Sequence, residues 1–94
     1  MDMQFLMKQA QKMQEKLQRE VAGLRVEATS GGGMVTIAMT GNHQVTSVKI
    51  SPEAVEAKDA EMLEDLVLAA LNEANRKVEE ALAAKMGGMR LPGF

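Results

Sequence analysis

Cysteine, tryptophan and tyrosine are all missing from this chain of 94 residues, and phenylalanine occurs only twice. Without cysteine there can be no disulfides and no thiolate metal sites, and the chain suits a reducing cytoplasm. Without large aromatics the apolar content rests on Ala, the branched aliphatics and nine Met, side chains that fill space adaptably but contribute less area each. The same shortage leaves little for base stacking and excludes an aromatic platform for single strands. Long hydrophobic runs are absent too. The longest is Leu66 to Leu71, far short of the roughly 20 residues that span a bilayer. Met1-Asp2-Met3-Gln4 is not the charged n-region of a signal peptide. The expectation is a soluble cytoplasmic protein with no membrane partner.

What remains is one domain, expected over residues 1–88, with 89–94 as a flexible tail. A chain of this size buries only about 60–65% of its unfolded surface, so a monomer would be marginal and self-association is the expected remedy. The net charge is −2, but it is unevenly spread: residues 53–65 carry −5, and residues 1–20, 21–52 and 66–94 carry +1 each. The acidity is a local patch on a mildly basic surface, which permits phosphate binding without requiring it.

Residues 2 to about 22 have apolar spacings of three and four from Met3 to Leu17 and predict an amphipathic helix, with Asp2 at its start and Gly23 as its stop. The period then falls to two. Leu24, Val26 and Ala28 form one face of a first strand, Val35, Ile37 and Met39 one face of a second, and Thr46, Val48 and Ile50 one face of a third. The turns Ser30-Gly31-Gly32-Gly33 and Gly41-Asn42 between them predict an antiparallel meander. Ser51-Pro52 opens a short helical turn over 52–57, and Asp59 caps a long helix from Glu61 to about Met86, ended by Gly87-Gly88. Leu66 to Leu71 is apolar all round, so one side is expected on the chain's own sheet and another on a second subunit. The predicted fold is α+β, an α-β-β-β-α chain with a three-stranded antiparallel meander flanked by two long helices, assembled as a homodimer.

No residue set has the type or spacing for acid–base, nucleophilic or metal chemistry, so an enzyme, a cofactor and a metal are not expected. Gly31-Gly32-Gly33 lacks a following Lys-Ser/Thr and leads into a strand, unlike a phosphate-binding loop. His43 stands alone beside a turn, with no second His and no Cys for a metal site. Glu53, Glu56, Asp59, Glu61, Glu64 and Asp65 form an acidic cluster without metal-loop spacing, and several of them lie near a helix start, where negative charge complements the macrodipole.

The informative charges are basic. At about 100° per residue, Lys8, Lys12, Lys16 and Arg19 occupy an arc of roughly 80° on the first helix, opposite Met3, Leu6, Ala10, Met13, Leu17 and Val21. Glu15 and Glu20 lie within one turn of parts of this rail and offer internal pairing; Lys8 has no such neighbour. Phe5 is the apolar residue on the basic side. Arg76, Lys77, Lys85 and Arg90 make a sparser second set, with Glu73 four before Lys77 and Glu80 four after Arg76. A solvated, locally paired surface is the simpler reading of both sets; doubled in a dimer, these eight cations are the candidate DNA-binding residues. They predict mainly backbone contacts, because no helix-turn-helix, zinc finger or reading helix accompanies them.

The chain also resembles the YbaB/EbfC family of small bacterial nucleoid-associated proteins. The resemblance runs over nearly its whole length: Met7-Lys8-Gln9-Ala10-Gln11-Lys12-Met13-Gln14-Glu15-Lys16, glycines 31–33, Val48-Lys49-Ile50-Ser51-Pro52, Glu61-Met62-Leu63-Glu64-Asp65-Leu66 and Leu91-Pro92-Gly93-Phe94. No single piece is diagnostic; their order and spacing together are specific. Position 51 is Ser where the family commonly has Asp. The resemblance implies a tweezer-like homodimer that binds double-stranded DNA in the bacterial nucleoid, with a replication or recombination protein as a further candidate partner. The competing reading is a protein-interaction adaptor that uses the first helix and the acidic patch without binding DNA.

Overall fold

The computed structural model describes residues 2–87; the expected tail at 89–94, and Arg90 with it, lie outside the described residues. The element order is α1 (Met3–Gly23), β1 (Arg25–Ser30), β2 (Val35–Thr40), β3 (Val45–Ile50), α2 (Pro52–Glu56) and α3 (Ala60–Gly87). The predicted α-β-β-β-α layout is therefore the observed one, with the short helical turn after Ser51 as α2.

Local chemistry explains each boundary. The Asp2 carboxylate accepts from Gln4 N–H at 3.1 Å and caps α1, satisfying one of the four donors a helix start leaves open. Ser51 Oγ accepts from Ala54 N–H at 3.2 Å at α2, and Asp59 Oδ1 accepts from Met62 N–H at 3.0 Å at α3. The first hairpin turn carries Gly31, Gly32 and Gly33 at φ 59°, 68° and 97°, conformations that a side chain would oppose. A Cβ on Gly31 would also meet Leu66 Cδ2 at 2.7 Å.

The strands form one antiparallel sheet in the order β1-β2-β3. Val26 pairs with Met39, Ala28 with Ile37 and Ser30 with Val35, so these residues share one face. Helix α3 lies across that face against β1 and β2. Its residues Ala70, Ala74 and Val78 are buried against Ala28, Val35, Ile37 and Met39, with Leu63, Leu66, Val67, Leu71 and Leu82 packed around them. The two alanines let helix and sheet approach closely, which lets a core without large aromatics exclude water. Ser30 Oγ donates to the Leu66 carbonyl at 2.6 Å and fixes the end of β1 to the helix.

The third strand departs from the simple alternation. A bulge between Ala38 and Met39 sets Val45, not Thr46, opposite Met39. The extra residue shifts the pleat, and the α3-side row of β3 becomes Val45, Val48 and Ile50. Because α3 covers β1 and β2, this row stays open: Val48 is 49% exposed and Ile50 40%.

Candidate nucleic-acid interface

Helix α1 projects from the sheet and has no buried residue, in a molecule 67 Å long and 25 by 16 Å across. Its last two turns alone are seated. Leu17 and Val21 are half-buried, Leu24 N–H donates to the Val21 carbonyl at 3.2 Å, and Gly41 N–H donates to the Leu24 carbonyl at 3.1 Å. The arm thus leaves the body at the β2–β3 hairpin.

Lys8, Lys12, Lys16 and Arg19 are all exposed along this arm. Glu15 and Glu20 do not pair with them: among the described residues the ion pairs are those of Arg76 with Glu73 and with Glu80. Lys8 to Arg19 rises about 17 Å along the helix axis, a length matched by roughly five phosphates of one DNA strand. Phe5 is exposed beside the rail.

The second basic set is disposed differently. The Arg76 guanidinium is held by both carboxylates, with Nε donating to Glu73 Oε2 at 3.0 Å and the terminal nitrogens reaching Glu73 and Glu80. Its hydrogen bonds chiefly hold the Glu73 carboxyl below its ordinary value, opposed by desolvation and assisted by the charges of Arg76 and Lys77, and the Glu73 hydrogen bond chiefly raises the arginine in turn. Glu80 pairs with Arg76 as its spacing suggests, but Glu73 selects Arg76 three residues on rather than Lys77 four on. Lys77 is engaged elsewhere. Its Nζ donates to the Glu27 carbonyl on the free edge of β1 at 2.8 Å, a contact that no local spacing reveals. Lys85 lies in the last turn of α3, where a cation complements the helix dipole.

The remaining candidates have structural explanations. His43, at φ 61°, places Nδ1 2.9 Å from Asn75 Oδ1 and ties the hairpin to α3. Glu53 and Glu61 sit in the first turns of α2 and α3, and Asp59 caps. Among the described residues no group of three or more His, Cys, Asp or Glu is placed to hold a metal ion, and no helix is long and apolar enough to cross a membrane. Periodicity did not reveal a largely apolar groove of about 530 Å³, lined by Ile50 of β3 and by Ala60, Leu63, Val67, Leu68 and Leu71 of α3, with the Glu64 side chain as its one charged member. Its signal was the all-round apolar run, of which Leu68 is 57% exposed.

The profile of the YbaB/EbfC DNA-binding family matches residues 1–94. A nucleoid-associated protein of Koribacter versatilis is 50% identical over 93 residues, covering 95% of this chain and 92% of that one. A nucleoid-associated protein of Alkaliphilus metalliredigens is 44% identical over 100 residues, covering 99% and 88%. Among solved structures, an uncharacterized protein of Helicobacter pylori superposes with a TM-score of 0.71 at 25% identity, covering 90% of this chain and 99% of that one. A projecting cationic arm on an α-β-β-β-α body and a profile match from end to end lead to one assignment: the chain belongs to the YbaB/EbfC DNA-binding family.

Proposed function

We propose that the protein binds duplex DNA as a homodimer, mainly through the phosphate backbone and with weak or modest sequence preference, in chromosome organisation, gene regulation or recombination and repair. The observation that carries this reading is the contrast between the two basic sets. Lys8, Lys12, Lys16 and Arg19 stand on an exposed helix without ion-pair partners among the described residues, whereas Arg76 is neutralised by Glu73 and Glu80. Cations without local partners can release DNA counterions at little cost. The α1 rail is therefore the primary contact, and Lys85 with Arg76 and Lys77 a secondary one.

A second copy is the proposed cover for the groove between β3 and α3. Apolar surface there lies beside the uncovered row of β3, and burying both continues the core across a symmetric interface. The dimer doubles the rail and gives two arms that can straddle a duplex.

The test is a duplex-binding titration over a salt series, comparing the native chain with a variant carrying Lys8→Gln, Lys12→Gln, Lys16→Gln and Arg19→Gln. Salt-sensitive binding that weakens on all sequences in the variant supports the reading. Absence of binding at low salt sinks it and favours the adaptor.

A further inference from the structure

The arm has a second face that the rail does not use. Met3, Leu6, Ala10 and Met13 recur at spacings of three and four, and Met3 and Met13 are 70% and 62% exposed. The seam ends where the body begins, at half-buried Leu17. A seam with this heptad spacing is the pattern by which two helices pair, with each side chain set between four of the other helix.

We propose that α1 pairs antiparallel with α1 of a second copy, joining two homodimers arm to arm. The residues themselves select the direction and register. With Met3 opposite Met13 of the second copy, Leu6 falls opposite Ala10, so a large residue faces a small one in the central layers. Asp2 and Lys16 flank the seam on the same side, and this register brings each beside its opposite charge at both ends of the two-fold pair. A parallel pair would instead stack Ala10 on Ala10 and leave a gap, with no opposite charges facing. Antiparallel helices also oppose their macrodipoles favourably.

The register uses the exposed part of the seam and stops short of the seated turns. It places the two Gly23 ends about 45 Å apart along the axis, which leaves room for both bodies. Lys8, Lys12 and Arg19 remain on the outer sides, so paired arms present cations in opposite directions. The inference does not rest on DNA binding, and it uses a different surface from the groove.

The chain contains no cysteine, so single-cysteine variants of the full chain report one place each. Gln9→Cys should be joined to itself by a short bismaleimide, because the register sets the two positions about 3 Å apart along the axis. Met13→Cys should not form a disulfide with itself, its two positions lying about 15 Å apart. A Met13→Cys disulfide would mean parallel pairing and would overturn the proposal, as would no cross-link from Gln9→Cys. Adding Leu6→Glu and Met13→Glu to Gln9→Cys should abolish the cross-link and halve the sedimenting mass while keeping the groove-mediated dimer. A cross-link that persists in that triple variant would show that the seam is not what joins the arms. If the groove does not hold a dimer, the native chain sediments as an arm-paired dimer and the Gln9→Cys cross-link still forms, so the two failures are distinguishable.

Discussion

Gly41 and Val21 meet so closely that a Cβ on Gly41 would overlap the Val21 carbonyl oxygen. This is the seat of the arm: the last turn of α1 rests on the β2–β3 hairpin where a side chain is missing. A Gly41→Ala chain has to move either the hairpin or the helix. Overpacking of this kind costs about 1–3 kcal/mol, and the expected result is a lower denaturant midpoint together with weaker DNA binding as the arm is re-aimed. Unchanged stability in chemical denaturation would show that the arm shifts freely on its seat.

If about six phosphates are neutralised per dimer, log affinity should fall with log salt at a slope of about −5. Each rail cation changed to Gln should make that slope shallower by about 1 for every phosphate it had neutralised. Removing all four should lower affinity on the order of a hundredfold at low salt, equally on unrelated sequences. Competition titrations on two duplexes of different composition measure both effects.

The Glu73–Arg76–Glu80 group makes a prediction of opposite sign. Glu73→Gln with Glu80→Gln releases Arg76 and removes two acids per protomer, and DNA binding should tighten several-fold at low salt if the C-terminal half of α3 lies near the duplex. An unchanged affinity would confine the contact to α1.

Acid titration probes the same group. Because the folded carboxyl of Glu73 is held below its ordinary value, its contribution to stability is complete above the unfolded pKa and is lost as pH falls through the folded one. A side-chain carbon titration by NMR should place Glu73 below the ordinary carboxylate range, and Arg76→Gln should return it to that range.

Lys77 should behave as a structural residue. Changing it to Met removes the donor to the Glu27 carbonyl on the β1 edge and should cost about 1 kcal/mol in thermal or denaturant unfolding. Its effect on DNA affinity should be smaller than that of a single rail lysine.

Leu68→Glu tests the groove. The residue is exposed in the single chain, so circular dichroism should report an intact fold, while a carboxylate set into the apolar interface should split the groove-mediated dimer and halve the sedimenting mass, leaving copies joined only through their arms. Combined with Leu6→Glu and Met13→Glu it should leave a monomer, and a dimer that survives all three changes would require an interface other than the groove and the arm seam.

Much of the molecule was legible in the sequence, and the limits follow from where each signal resides. Asp2, Ser51 and Asp59 cap the helices they were expected to open, and the glycines at 31–33 turn the first hairpin, because caps and turns are settled within a few residues. Period-two reasoning failed at Thr46, where an added residue moves Val45 into the inward row; a bulge leaves no trace in hydrophobic alternation. The rail and its opposing seam were also legible, since one helix sets both by its own period.

The chain's sequence alone determined the elements, their order, the basic rail and the absence of aromatic and thiol chemistry, all consequences of local backbone preference and composition. Tertiary structure decided which charges remain unpaired and which apolar faces remain uncovered. Lys77 reaches a carbonyl 50 residues away, Val21 is seated by Gly41, and α3 covers β1 and β2 while leaving β3 open. Each depends on register and on the approach of distant segments, whose energies arise only once the chain has packed.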